Sequence, residues 1–339
     1  MNIRPAKIKY WLGLLVVITL SSCAVPRNPS MEDQLPAGWV ESSLEFEGLT
    51  RWYRIYTPDP LPEEPALVLY LHGGTLSMRS IFSPLSDSTS TWLRIAEQEG
   101  VVLVVPNGVN AETGDTYGND QNWNDLRSDS AAGQHDVDDV GFLLALLERV
   151  VSELELDQPR VFVTGASNGG MMTFRMLLEA PGQFTAGAAY IANLPDLDPQ
   201  LPDLKIPTPI MIANGTLDPL VPWNGGVVGK DRGYVLSTHE TVEWWTNNNH
   251  ADPNRVQIDV LPDINPEDGC LIWREYFPPQ AGGAPVLFYR FEGGGHTLPT
   301  LAEPGWFEKI ASRLLGPVCH DVDGVLLAWD FFQETSELP

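Results

Sequence analysis

The sequence predicts a single, mostly parallel α/β domain, and three observations carry that reading. Short runs such as ALVLYL at 66–71 and VVLVV at 101–105 are apolar at every position. Runs of this kind fit strands covered on both faces, not strands with one wet side. They alternate with stretches of helical period, clearest at 139–154, where Phe142, Leu143, Leu146, Leu147 and Val150 form one stripe. No repeat, low-complexity block or Gly/Ser linker divides the chain after its first forty residues.

The elements follow in order. Residues 41–46 and 51–57 alternate apolar and polar positions around Glu47-Gly48, which reads as an antiparallel hairpin. Strands are then predicted at 66–71, 101–105, 160–164, 186–191, 209–213 and 286–291. Helices are predicted at 139–154, 169–180, 238–247 and 306–315, and an amphipathic helix at 325–333 closes the chain.

The N-terminus reads as an address. Arg4, Lys7 and Lys9 precede the apolar run 11–20 (WLGLLVVITL). A helix needs about twenty residues to cross a bilayer core, so this run fits the hydrophobic region of a secretory signal instead. It ends in Leu20-Ser21-Ser22-Cys23, which resembles the bacterial lipobox, where cleavage precedes a cysteine that becomes lipid-modified. The expected organisation is a signal peptide at 1–22, a lipid-anchored tether at 23–38 and one domain at 39–339. Ala24 stands where an inner-membrane retention signal would place Asp, so in a Gram-negative cell the expectation is the outer membrane facing the periplasm, or the cell surface.

Charge narrows the partners. Lys and Arg total 20 against 45 Asp and Glu, a formal charge of −25. That surface repels phosphate backbones and anionic headgroups, so nucleic-acid binding is not expected and membrane contact is expected only through Cys23. Export would put Cys270 and Cys319 in an oxidising compartment. A bridge between them closes a separation of 49 residues. The loop-entropy account makes such a closure worth roughly 3–4 kcal/mol. The alternative is a pair of buried free thiols.

Three strand-end signals carry chemistry. Gly165-Ala166-Ser167-Asn168-Gly169 fits G-x-S-x-G between a predicted strand and a predicted helix. A sharp turn there exposes the serine hydroxyl at the strand end and puts the Asn168 N–H at a helix N-terminus, ready to donate to an oxyanion. Asp218 follows the strand 209–213, and His296 follows the strand 286–291 through Gly293-Gly294-Gly295. A serine nucleophile needs a base and an orienting acid, and the chain order Ser167, Asp218, His296 is that of the α/β-hydrolase triad. Leu71-His72-Gly73-Gly74-Thr75 follows an apolar strand and resembles an HGG-type oxyanion loop, with the N–H of Gly74 or Thr75 as the second donor. His72 is expected to pack inside that loop.

The segments Leu71–Thr75, Asn122-Trp123-Asn124-Asp125, 137–142, 164–172, the Asp218 loop and Gly293–His296 resemble a secreted esterase family containing feruloyl esterases and polyhydroxybutyrate depolymerases. The resemblance implies an α/β-hydrolase fold with Ser167 as nucleophile, Asp218 as acid and His296 as base. It departs where many depolymerases carry a cysteine in the oxyanion loop, since Gly74 and Thr75 stand there. The expected function is therefore a serine carboxylester hydrolase acting through an acyl-enzyme on feruloyl or related carbohydrate and aryl esters. Two alternatives are a depolymerase of polyhydroxyalkanoate oligomers and an inactive hydrolase-fold lipoprotein that serves as a binding module. The mechanism requires no cofactor. No metal site is expected either, because the acids at 136–139 and Asp321 and Asp323 read as helix caps. Trp123 and Trp223 are the candidate aromatic walls of the substrate site. His135, His239, His250 and His320 are expected in surface or capping positions.

Overall fold

The computed structural model describes residues 35, 37–80, 87–110, 112–127, 137–197, 201–229 and 231–336. The predicted signal segment, Cys23, most of the predicted tether, His135 and Asp136 lie outside the described residues. Residues 37–339 form one compact unit.

The predicted hairpin is β1 (Trp39–Phe46) and β2 (Leu49–Tyr56), paired antiparallel. The buried apolar runs become β3 (Ala66–Leu71), β4 (Val102–Pro106), β5 (Arg160–Ala166), β6 (Ala186–Tyr190), β7 (Ile210–Gly215) and β12 (Val286–Glu292). Four strands carry no clear signal in the sequence. β10 (Gln257–Val260) is exposed along its whole length, and β11 (Leu271–Phe277) carries Arg274 and Glu275 at its middle. Together with the short pair β8 (Gly226–Val227) and β9 (Tyr234–Val235), they complete the strands described.

The ten-stranded sheet runs β1-β2-β4-β3-β5-β6-β7-β12-β11-β10. Its six central strands are mutually parallel, from β4 to β12, and antiparallel strands flank them on both sides. The helices are α1 (Asp87–Glu99), α2 (Asp139–Glu153), α3 (Asn168–Glu179), α4 (Thr238–Asn248), α5 (Trp306–Leu315) and α6 (Gly324–Ser336).

Side-chain alternation along the strands divides the core between two faces. Leu67, Leu69 and Leu71 join Val163, Ile212 and Phe288 in one cluster with α2, α3 and α4. On the other face Tyr70 meets Trp92 of α1, while Phe162 stacks on Phe332 and meets Trp329 edge-on in α6. Because all six central strands are parallel, their C-terminal ends share one edge of the sheet. Ser167, Asp218 and His296 all follow such ends. Two of the caps read from sequence are present: Asp138 accepts the Gly141 N–H at 2.8 Å, and Asp323 accepts that of Val325 at 2.9 Å. Asp321 is not one: its Oδ1 accepts the N–H groups of Ile264 and Asn265 at 2.8 and 3.0 Å. Asp139 is not a cap. It is buried against Arg51 at 2.6 Å.

Candidate active site

The turn between β5 and α3 holds Ser167 in a conformation that a side chain adopts only under constraint, with φ 57° and ψ −122°. The constraint is packing. A Cβ built on Gly169 would lie 2.2 Å from the Leu71 carbonyl oxygen, so only glycine lets α3 start this close to β3. The Ser167 N–H donates to the Tyr190 carbonyl at 2.9 Å, which ties the elbow to β6. Ser167 itself is half-buried. The first N–H groups of α3 have no acceptor within the helix and point toward the same side.

The loops after β7 and β12 are stitched to each other. Leu217 N–H donates to the Gly294 carbonyl at 2.8 Å, and Gly293 N–H donates to Thr216 Oγ1 at 2.9 Å. That stitching brings His296 Nδ1 to 2.7 Å from Asp218 Oδ2. The other carboxylate oxygen, Oδ1, accepts the N–H groups of Leu220 and Val221 at 2.7 and 2.8 Å. With Asp218 accepting on both oxygens, Nδ1 of His296 is the nitrogen that donates to the carboxylate, and Nε2 is the one turned away from it. Both side chains are nearly enclosed, at 9% and 3% exposure, so little water competes for their bond. The Cys270–Cys319 bridge is present, with Cα atoms 5.4 Å apart. It backs this loop: a Cβ on Gly294 would come within 3.1 Å of Cys319 Sγ.

The Leu71–Thr75 loop packs directly on the turn that carries Ser167. A Cβ on Gly73 would lie 3.8 Å from that of Ser167, and one on Gly74 would lie 3.3 Å from that of Asn168. His72 is buried behind the loop. Gly108 N–H donates to its Nε2 at 3.0 Å, so Nδ1 carries the proton and donates to the Gly73 carbonyl at 2.8 Å. Burial holds this imidazole below its usual 6.5, at about 4, and therefore neutral across the physiological range. His72 thus plays the structural part expected of it.

Geometry separates the two candidate donors of the loop. The Thr75 N–H already donates to the Gln121 carbonyl at 2.8 Å and contacts Asn122 Oδ1 at 3.2 Å, so Thr75 is not the second oxyanion donor. Gly74, facing Asn168, is the remaining candidate. Trp123 does not line a substrate site either. It is fully enclosed, its indole N–H donates to the His72 carbonyl at 2.9 Å, and its ring lies 4.8 Å from that imidazole. It is a wall of the core and not of a substrate cleft. Trp223, half-buried in the Asp218 loop with its ring 6.1 Å from Phe288, remains a candidate subsite residue. His320 is likewise not at the surface: it is buried and pairs with Glu308 at 3.0 Å. His239 and His250 are exposed.

Sequence reasoning missed a buried polar group beside the elbow. Asp125 forms an ion pair with Arg127 at 2.7 Å and accepts from the Asn168 side-chain amide at 2.6 Å. The available signal was a polar stretch, Asn122-Trp123-Asn124-Asp125, placed among apolar elements. No group of metal-binding residues occurs among the described residues.

The strand order, the serine elbow after β5, and an acid and histidine after β7 and β12 define an α/β-hydrolase. The chain has that fold. A family model of the prolyl oligopeptidase family matches residues 87–195, the segment that contains the elbow. The chain is 29% identical over 295 residues to a protein of Nocardia uniformis subsp. tsuyamanensis named as an esterase, NocK, covering 82% of this chain and 80% of that one. It is 31% identical over 201 residues to poly(3-hydroxybutyrate) depolymerase of Ralstonia pickettii, covering 56% of this chain but only 38% of the depolymerase. A protein of Aspergillus niger named as feruloyl esterase C is 25% identical over 241 residues, covering 69% of this chain and 71% of its own. Among solved structures, the acetyl xylan esterase from Aspergillus awamori superposes with a TM-score of 0.50 at 16% identity, over 80% of this chain and 98% of that one. That likeness bears on the fold alone.

Proposed function

We propose that this protein is an exported serine carboxylester hydrolase that works through an acyl-enzyme on feruloyl or related carbohydrate and aryl esters. The observation that carries the reading is the 2.7 Å His296–Asp218 contact on the sheet edge that also bears the strained Ser167 turn. The esterase relatives support the reaction class, and the feruloyl esterase relative, matched over about two thirds of both chains, supports the substrate class.

In this mechanism Ser167 Oγ attacks the ester carbonyl carbon while its proton passes to His296 Nε2. Asp218 keeps the imidazole in the required tautomer and stabilises the imidazolium. The carbonyl oxygen, now an oxyanion, takes the N–H groups of Asn168 and Gly74, each donor worth roughly 3–4 kcal/mol in the transition state. The tetrahedral species collapses, the carbon–oxygen bond to the alcohol breaks, and Nε2–H protonates the departing oxygen. Water then repeats the attack on the acyl-enzyme with His296 as base, releasing the acid and restoring Ser167. Trp223 would line the pocket for an aromatic or sugar portion.

Hydrolysis of methyl ferulate, p-nitrophenyl acetate, acetylated xylan and 3-hydroxybutyrate oligomers tests the reading, with Ser167→Ala as control. Turnover fastest on methyl ferulate or another aryl or carbohydrate ester is expected. Preference for the oligomers would assign the depolymerase reading instead, and an inert wild type would leave the binding-module reading. The anchor is a separate part of the proposal. Cys23→Ala should move the protein from the membrane to the soluble fraction, and unchanged membrane association would refute a lipid at Cys23.

A further inference from the structure

We infer that Asp125 is a positioning residue for catalysis: through the Asn168 side chain it aligns the oxyanion hole, and through Arg127 it ties that hole to the loop carrying Asp218. The inference rests on the esterase reading above and adds a residue which that reading does not use.

Asn168 is the residue after the nucleophile, and its own N–H is one of the two oxyanion donors. Its side chain is completely engaged by one short segment. Oδ1 accepts the Trp123 N–H at 2.8 Å, while Nδ2 donates to the Trp123 carbonyl at 3.0 Å and to Asp125 Oδ2 at 2.6 Å. The same segment grips the other half of the hole. The Gln121 carbonyl and Asn122 Oδ1 both accept the Thr75 N–H, and a Cβ on Gly74 would lie 3.0 Å from Asn122 Oδ1. Five consecutive residues, 121–125, therefore set the separation and tilt of the two donors. Donors aimed at an oxyanion act through their fixed orientation, and errors of a fraction of an ångström weaken them.

Asp125 is the charged end of this clamp and is fully enclosed. Arg127 meets it through Nε at 3.0 and 3.1 Å and through Nη2 at 2.7 Å. The third guanidinium nitrogen, Nη1, donates to the Arg232 carbonyl. From there backbone bonds run from Arg232 to Val228 and from Gly229 to Leu220, whose N–H donates to Asp218 Oδ1. One connected network thus spans from the oxyanion donors to the orienting acid. For stability alone a buried ion pair offers little over well-packed apolar residues. Its advantage lies in direction: charge-assisted bonds of fixed geometry hold the Asn168 amide in one place.

The test compares wild type, Asp125→Asn, Asn168→Ala and the double variant on the best ester substrate and on a boronic acid that forms a tetrahedral adduct with the serine. Asp125→Asn should lower kcat by about 10²-fold while KM changes by less than about threefold, since the lost alignment acts in the transition state. Boronate affinity should fall with kcat. Asn168→Ala keeps the backbone N–H and the Asp125–Arg127 pair, so it should fold and reproduce the loss. The double variant should be no worse than either single one, because both cut the same connection. If Asp125→Asn does not fold, Asn168→Ala decides alone. Unchanged kcat and boronate affinity in a folded variant, or a rise in KM with kcat intact, overturns the inference while leaving the esterase reading standing. A wild type that hydrolyses no ester and binds no boronate overturns that reading and the inference with it.

Discussion

His72 makes a quantitative prediction about acid stability. Its ring is enclosed, accepts from Gly108 and donates to Gly73, an arrangement that only the neutral imidazole can satisfy. Its folded pKa of about 4 lies below the ordinary value of 6.5. Above the ordinary value neither the folded nor the unfolded chain carries the proton, and the stabilisation is fully present. As the pH falls below 6.5 the unfolded chain binds a proton that the folded one refuses, so stability declines until the folded pKa is reached. A shift of this size corresponds to about 3 kcal/mol, most of it lost between pH 6.5 and 4.5. The assay is urea unfolding at a series of pH values for wild type and His72→Gln, read as the difference between the two. That difference removes the contribution of the many carboxylates, which both proteins share. The variant should be less stable at neutral pH, and its stability should fall less steeply with acid by about 2 kcal/mol over that range. Parallel curves for the two proteins would show that the ring accepts protons freely in the folded state, and would refute its role as a neutral strut.

Other predictions follow from backbone geometry and the disulfide. Ser167→Gly should raise stability by about 1 kcal/mol, because glycine relieves the positive φ, while reducing kcat on the order of 10⁶-fold; differential scanning calorimetry and an ester assay check both. Gly169→Ala should cost about 3 kcal/mol or more, since the new Cβ meets the Leu71 carbonyl of β3 and backbone cannot yield. Chemical denaturation measures it. Cys270→Ser should cost roughly 3–4 kcal/mol and lower kcat as well, through the Gly294 loop that the bridge supports. Stability and turnover of the variant should both match those of the reduced wild type.

Much of the central architecture was legible because buried parallel strands must be apolar throughout. Residues 66–71 and 101–105 are apolar at every position, and 160–164 and 286–291 depart from that only at Arg160, Thr164 and Arg290. The flanking strands were not, because neighbours rather than composition specify them. β10 buries nothing, and β11 sets the adjacent charges Arg274 and Glu275 among aromatic residues and fully buries only Ile272. Helix α1 buries Trp92, Ile95 and Ala96, a narrow stripe within a polar sequence. The placement of Ser167, Asp218 and His296 just beyond strand ends was readable from the strand patterns and nearby glycines. What sequence could not give was burial. Trp123 looked like an aromatic in a polar loop, yet it is enclosed by the fold that the loop completes. Asp125 carried no signal of its own in the sequence, yet Arg127 and Asn168 surround it. The choice between Gly74 and Thr75 likewise depended on a partner, Gln121, distant along the chain.

The proposed reaction depends most on a reactive hydroxyl at the β5–α3 turn. Treating the folded protein with a fluorophosphonate and mapping the adduct by peptide mass spectrometry measures it directly. The label should sit on Ser167, appear at one equivalent, and vanish together with ester hydrolysis in His296→Ala. A label on another residue, or an unlabelled Ser167 in a protein that still hydrolyses esters, would contradict the account.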